Sequence, residues 1–295
     1  MTNTQQLTPD QIETDTLLQL VTDQISFDTF DNSPATIQRI IIEGLGDTRG
    51  VVRLRAAQVL GEVGQPATAL LLEALAHHPN VTIRRAVAKT LALIEDPESV
   101  PALLHAFLTD EDTVVHGSSV GALARIGSLA VPALLEIVAN PASSETTKGH
   151  AAWALAFIGN EAAEHLYPAL KSDSIDVRCA VVSAIAHVAQ EKGDIQACQV
   201  LVDSLTDPAA LIRNEAAAAL SQISYPPAIP HLISATKDSD GEVRKAAVSS
   251  LGRVGDESAT GPLQAAMNDE LEVVKVLAKV ALQQLQNRLA DGEDW

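Results

Sequence analysis

The sequence predicts an all-α fold, a right-handed α-solenoid of about eight stacked helix pairs. One segment recurs along the chain at intervals of roughly 31 residues, the mark of a repeat array. Within each recurrence the apolar residues follow the i, i+3, i+4 rhythm of an amphipathic helix. Aromatic residues are only 3% of the 295 residues, while 46% are hydrophobic. Small and aliphatic side chains suit closely spaced helices rather than sheets.

The recurring frame is visible in Val51-Val52-Arg53-Leu54-Arg55-Ala56-Ala57 and in Glu242-Val243-Arg244-Lys245-Ala246-Ala247-Val248. Aligning the repeats gives one column, Arg53, Arg84, His116, Lys148, Arg178, Arg213, Arg244 and Lys275, cationic except at His116. Six residues ahead of it stand Asp47, Asp110, Asp207, Asp238 and Asp269, with Asp173 one place out of step. Acid and base at a fixed offset in successive repeats predict a hydrogen-bonded ladder between neighbouring turns rather than an anion-binding strip.

Most pairs open on a proline, at Pro34, Pro66, Pro101, Pro132, Pro168, Pro230 and Pro262. Proline's missing amide hydrogen costs little in the first turn of a helix. The second helix carries the basic column, with an aliphatic residue seven places later, as at Leu60 and Leu220. Gly64, Gly127, Gly159 and Gly255 fall eleven places after the column, where a left-handed residue can stop a helix. Neither helix covers its apolar stripe alone, so the pairs must stack as one elongated domain with no internal boundary. The expected organisation is a polar leader at 1–32 holding an N-terminal capping helix, the repeat array at 33–290, and an acidic tail at 291–295. An enlarged connection falls near Glu191-Lys192-Gly193-Asp194.

The formal net charge of −18 surrounds the chain with a negative potential that repels phosphate backbones and anionic lipid. Nucleic acid is therefore excluded as a partner. No uncharged apolar stretch approaches the ~20 residues of a bilayer span, and the polar start at Met1 to Thr8 lacks a secretory pattern. Membrane insertion is not expected, and the localisation expected is cytoplasmic. The two cysteines, Cys179 and Cys198, sit on helical patterns without ligand spacing and read as buried thiols in a reducing compartment. No phosphate-cradling glycine loop, nucleophile elbow, His-Glu-x-x-His pair or calcium loop is present. No metal site and no permanently bound cofactor are expected.

Together with Ala-Ala-x-x-Leu-Gly at 56–61 and Ala-Ala-Trp-Ala-Leu-Ala at 151–156, these repeats resemble the HEAT-like repeats of the phycobilisome-lyase type. The resemblance covers about 34 to 286. That family includes cyanobacterial bilin lyase subunits, which attach or move open-chain tetrapyrroles on phycobiliprotein cysteines, and proteins of phycobilisome degradation. It implies a phycobiliprotein or other helical protein as client, phycocyanobilin as ligand, and a second HEAT-like chain as partner. Some lyase subunits carry a Tyr-Tyr-Ala-Ala-Trp-Trp-Leu-Gly-like stretch near the start. The closest match here, Lys148-Gly149-His150-Ala151-Ala152-Trp153-Ala154-Leu155, keeps part of it in mid-chain. That departure shifts weight from chromophore attachment towards phycobilisome turnover or chromophore detachment.

Function belongs to departures from the repeat, since the repeat itself only closes helix onto helix. His116 interrupts the basic column and is followed by Gly117, Ser118 and Ser119; the next repeat departs at Lys148, Gly149, His150 and Trp153. His150 and Trp153, three apart, project from one helix face and join a stacking plane to a group that exchanges protons near neutral pH. The alternative is packing, with Trp153 plugging an interhelical gap. Arg125 and His187 share a polar position nine after the column, on a stripe expected to line a concave groove. For a bilin, the resemblance implies Arg125 or Lys148 on a propionate and Asp176 near the pyrrole nitrogens; solvated surface charge explains them equally. The leading reading is a binding protein that docks its client and handles its bilin. The rivals are a bilin lyase or isomerase subunit working with a second solenoid chain, and a pigment-free scaffold assisting cofactor assembly.

Overall fold

A computed structural model of the chain describes residues 7–192 and 194–290. The acidic tail and Gly193 lie outside the described residues. Among the described residues every regular element is helical, and no strand occurs. The chain forms two compact units, Met1–Ala133 and Leu134–Trp295.

The first unit opens with α1 (Pro9–Ser26), then α2 (Pro34–Arg39), which continues as a π-helical turn at Ile40–Gly44, and α3 (Gly50–Val63). Two further pairs follow, α4 (Thr68–His77) with α5 (Val81–Ile94), and α6 (Val100–Thr109) with α7 (Thr113–Ile126). Thr8 and Gln11 close a capping box at the start of α1, and Pro9 occupies the first turn. Leu17, Leu18 and Val21 of α1 are buried. Arg49 ties α1 to the first pair by donating to both carboxylate oxygens of Asp15 at 2.9 and 3.0 Å.

The division between the units falls within α8 (Val131–Ala139). The second unit continues with α9 (Glu145–Ile158), α10 (Ala163–Ala169) with α11 (Ile175–Lys192), and α12 (Ile195–Ser204) with α13 (Ala210–Leu220). It ends with α14 (Ile229–Ala235), α15 (Gly241–Val254), α16 (Thr260–Ala266) and α17 (Glu272–Ala290).

The column seven residues after the basic one forms the centre of each unit. Leu60, Leu91 and Leu123 are wholly buried in the first, and Leu155, Leu220 and Leu251 in the second. Each such burial stabilises the fold by about 1.5–3 kcal/mol relative to exposure. Three second helices start where an Asx side chain takes orphan amides: Asn80 accepts from Thr82, Asp112 from Val114 and Val115, and Asp240 from Glu242 and Val243.

The acid–base ladder forms, with Arg84, Arg178, Arg213 and Arg244 each reaching the next pair. Arg84 donates through Nε and Nη2 to Asp110 at 2.8 and 3.0 Å. Arg178 reaches Asp207 at 2.9 and 3.1 Å, and Arg244 reaches Asp269 at 2.8 and 3.0 Å. The remaining Nη1 donates backwards to the carbonyl six residues earlier, as from Arg244 to Asp238 at 2.9 Å. Asp207 and Asp238 thus each serve two arginines, one by the carboxylate and one by the carbonyl. Asp173 has no such place. Ser172 holds that register, with its carbonyl 2.7 Å from Arg178 Nη1 and its Oγ accepting the Ser174 amide.

Three sequence expectations need correction. Gly64, Gly127 and Gly159 have φ of 71°, 81° and 59°, but Gly255 is extended with φ −69°. It is glycine for space, because a Cβ there would lie 2.4 Å from the Leu251 carbonyl oxygen. The equivalent place after α5 is held by Glu95, a non-glycine residue with φ 57°. Pro168 does not open a helix but lies near the end of α10. Finally, Thr113–Ala139 has the length and mean hydropathy (1.7) of a spanning segment, with half of the segment buried. The left-handed Gly127 divides it into α7, a 3-10 turn and α8.

Candidate functional site

Positions one, five and nine residues after the basic column lie on one side of each second helix, away from the buried column. On most helices this stripe carries small or polar groups. On α9 it carries Gly149, Trp153 and Phe157. Trp153 is 51% exposed and Phe157 55% exposed. Their ring centroids stand 5.6 Å apart with planes inclined by 34°, a tilted contact one helical turn long. Trp153 therefore plugs no interhelical gap. Phe157 was not singled out from sequence; the signal available was its i+4 spacing from Trp153 on the exposed stripe.

His150 is exposed on α9, one turn before Trp153. Gly149 beside it has open space where a Cβ would stand. On α11, which packs against α9, Ser183 and His187 are the register mates of Trp153 and Phe157. Ser183 Oγ donates to the Glu215 carboxylate at 2.6 Å, and His187 is exposed. The aromatic pair and His187 thus belong to neighbouring helices of one unit.

Lys148 and Asp176 engage each other. Lys148 Nζ donates to the Asp176 carboxylate at 2.5 Å, and this bond raises the ammonium above its usual range. Lys148 is 13% exposed and Asp176 is 48% exposed, so the pair replaces the arginine–aspartate rung at this repeat. A propionate on Lys148 would have to displace Asp176.

In the first unit, His116 takes over the backward bond of the basic column, its Nε2–H donating to the carbonyl of Asp110. Ser118 is half-buried on α7, and the neighbouring Ser119 is wholly buried with its Oγ unpartnered. Arg125 is exposed, donating through Nε to the Ala92 carbonyl at 2.7 Å and through Nη2 to the Glu95 carboxylate. That ion pair anchors Glu95 in its left-handed turn. Of the sequence-predicted residues, His116, Ser118 and Arg125 thus lie on α7, and Lys148, His150, Trp153, Asp176 and His187 on α9 and α11.

Neither thiol is poised as a nucleophile. Burial, with Glu215 and Asp176 nearby, pushes half-buried Cys179 up to about 11, and burial also raises Cys198. Among the described residues no group of three His, Cys, Asp or Glu side chains is arranged to hold a metal ion.

The model of HEAT repeats matches residues 39–124, 131–221, 163–247 and 199–286. The chain belongs to the HEAT-repeat family. It is a homologue of the bilin biosynthesis protein MpeU of Synechococcus sp., 35% identical over 231 residues, which are 77% of this chain and 77% of that protein. The deoxyhypusine hydroxylase of Eremothecium gossypii is 26% identical over 273 residues, 86% of this HEAT-repeat chain and 80% of the enzyme. Among solved structures, the karyopherin Kap121p bound to the extreme C-terminus of the protein phosphatase Cdc14p is similar with a TM-score of 0.59 and 13% identity. That likeness covers 95% of this chain and 36% of the karyopherin, and it shows the fold alone.

Proposed function

We propose that this HEAT-repeat protein docks a phycobiliprotein client and handles its bilin, with the Trp153–Phe157 face of α9 as the surface that meets the tetrapyrrole. The observation that carries the reading is the exposed aromatic pair. Large apolar rings held half in solvent at adjacent turns cost hydration without serving the core, and such exposure marks an interaction surface. A conjugated, open-chain tetrapyrrole offers a long π surface to stack on them, and His150 one turn away supplies a hydrogen-bonding group. The homology to a bilin biosynthesis protein supports the choice of ligand. The half-buried position and raised pKa of Cys179 argue against a covalent bilin carried on this chain and for attachment, if any, on the client.

A second reading is that of a bilin lyase or isomerase subunit acting with a second HEAT-like chain. The role of the homologue, bilin biosynthesis, favours it over chromophore detachment. Phycobilisome turnover, the direction suggested by the sequence departure at 148–155, stands as the other outcome.

The test is a phycocyanobilin titration followed by absorbance, alone and with intact phycocyanin, on the native chain and on Trp153→Ala and Phe157→Ala. A red-shifted, saturable spectrum that both variants weaken tenfold or more is expected. Equal binding by all three proteins would overturn the assignment of the surface, and no binding in either condition would overturn the bilin reading. Incubation with bilin, apo-phycocyanin and a second HEAT-like chain then separates the roles. Covalent colour on the client identifies a lyase, and loss of colour from intact phycocyanin identifies detachment.

A further inference from the structure

Helix α17 carries apolar side chains on two opposite sides. Val274, Ala278, Ala281 and Leu285 are buried where the helix packs against α15 and α16. Val273, Val276 and Val280 point the other way and are each about half exposed. Val276 and Val280 occupy the same stripe, one and five places after the basic column, that carries small or polar groups on most second helices.

The three valines are spaced by three and then four residues, the a, d, a step of a heptad seam. The next two seam positions are Gln283 and Asn287, which are polar and joined to each other by a hydrogen bond of 2.7 Å. The apolar seam is therefore short and confined to the first turns of α17.

Charge flanks this seam on one side only. Glu272 and Lys279 stand one heptad apart on that flank, both exposed. Glu272 accepts from Lys275 of its own helix at 3.1 Å, whereas no hydrogen bond or ion pair among the described residues holds Lys279. On α5, α7, α11, α13 and α15 the place of Lys279 is taken by Ala88, Val120, Val182, Ala217 and Val248, all buried. An unpaired cation there is a departure from the repeat. The other flank holds Leu277 and Gln284, which carry no charge.

These positions decide what fits the seam. Two parallel copies of α17 would set the charged flank of one against the uncharged flank of the other. Two antiparallel copies bring the charged flanks together, and Lys279 then comes opposite Glu272 when Val276 lies near the centre. We propose that α17 is a self-recognition surface, covered by the α17 of a second copy of this chain lying antiparallel across a two-fold axis near Val276. Val273 and Val280 of the two copies flank Val276, Lys279 of each copy pairs with Glu272 of the other, and the polar Gln283 and Asn287 fall beyond the overlap. A two-fold contact uses one patch twice and closes at two chains. Its small area and the repulsion between two chains of net charge −18 make the dimer weak and dependent on concentration. The inference is independent of the bilin reading, whose surface is on α9.

Sedimentation equilibrium of the full chain over a range of concentrations, at a physiological salt of about 0.15 M, tests it. A monomer–dimer equilibrium with a dissociation constant of about 10–500 μM is expected. Val276→Glu, which sets like charges together at the axis, should weaken the dimer at least tenfold with an unchanged melt by circular dichroism. Lys279→Glu and Glu272→Lys should each weaken it about fivefold or more by opposing like charges, and the double exchange should return it to within about threefold of the native chain. That rescue distinguishes the antiparallel pair from any other contact that a damaged helix would lose. A chain that stays monomeric up to millimolar concentration, a dimer that folded Val276→Glu protein retains, or a double exchange no better than the single ones would each overturn the proposal.

Discussion

Arg213 Nε and Nη2 each stand 2.7 Å from a carboxylate oxygen of Asp238, twenty-five residues on, while Nη1 donates to the Asp207 carbonyl at 2.9 Å. One guanidinium therefore joins the turn that opens its own helix, α13, to the turn that opens α15. Arg213→Ala strands a carboxylate that is only 11% exposed. Hydrogen bonds to charged groups contribute about 1.5–3 kcal/mol, so the variant should lose about that much in urea unfolding. Arg213→Lys should recover little, because an ammonium cannot make the two-pronged contact. Arg178→Ala should behave alike, and the carboxylate it strands is Asp207, not Asp173.

The same bonds set the response to acid. Hydrogen bonds from Arg84, Arg213 and Arg244 hold the carboxyls of Asp110, Asp238 and Asp269 below the usual carboxylate range. A carboxyl with a depressed folded value stabilises the native state most fully above the unfolded value of about 3.9, and the gain is lost as pH falls through the folded value. Melting temperature should therefore be flat from neutral pH down to about 5 and fall steeply below about 4. Asp238→Asn should start lower and show a shallower acid limb. A decline beginning near pH 6 in the native protein would point to histidines instead.

Much of this was readable from residues alone, because the repeat forces equivalent residues into equivalent environments. The column from Arg53 to Lys275 located every second helix, and the aspartates six places ahead located the ladder. What sequence did not show was direction. Spacing placed Asp207 near Arg213 in its own repeat, while the carboxylate turns to Arg178 in the preceding one. Nor could composition tell an exposed tryptophan from a buried one, since position 153 is small or polar in most repeats. Gly255 and Gly64 share a column yet differ in φ, because crowding against the Leu251 carbonyl also demands glycine.

Trp153→Ala tests whether the aromatic face serves the fold. A side chain that is 51% exposed gives up little on truncation, and stability should change by less than about 1 kcal/mol. Leu155→Ala, two residues on and wholly buried, should cost about 2–5 kcal/mol. Far-ultraviolet circular dichroism melts of both variants distinguish the cases. A loss at Trp153 comparable to that at Leu155 would return the aromatic pair to the core.

Two glycines on second helices should respond with opposite sign to the same substitution. Gly252→Ala on α15 drives a Cβ to 2.8 Å from both Cα and Cβ of Ala281 on α17, and overpacking of that kind costs about 1–3 kcal/mol. Gly117 on α7 has nothing within 4 Å of the added Cβ. An unstrained helical glycine gains about 0.5–1 kcal/mol on becoming alanine, so Gly117→Ala should raise the melting temperature. Gly149→Ala on α9, equally unobstructed, should do the same. These glycines thus weaken their helices without any packing need inside the chain. If Gly149→Ala stabilises the protein and also weakens its client, the bare backbone beside His150 and Trp153 is a contact surface. If it stabilises and leaves binding intact, the client does not approach α9 at that turn.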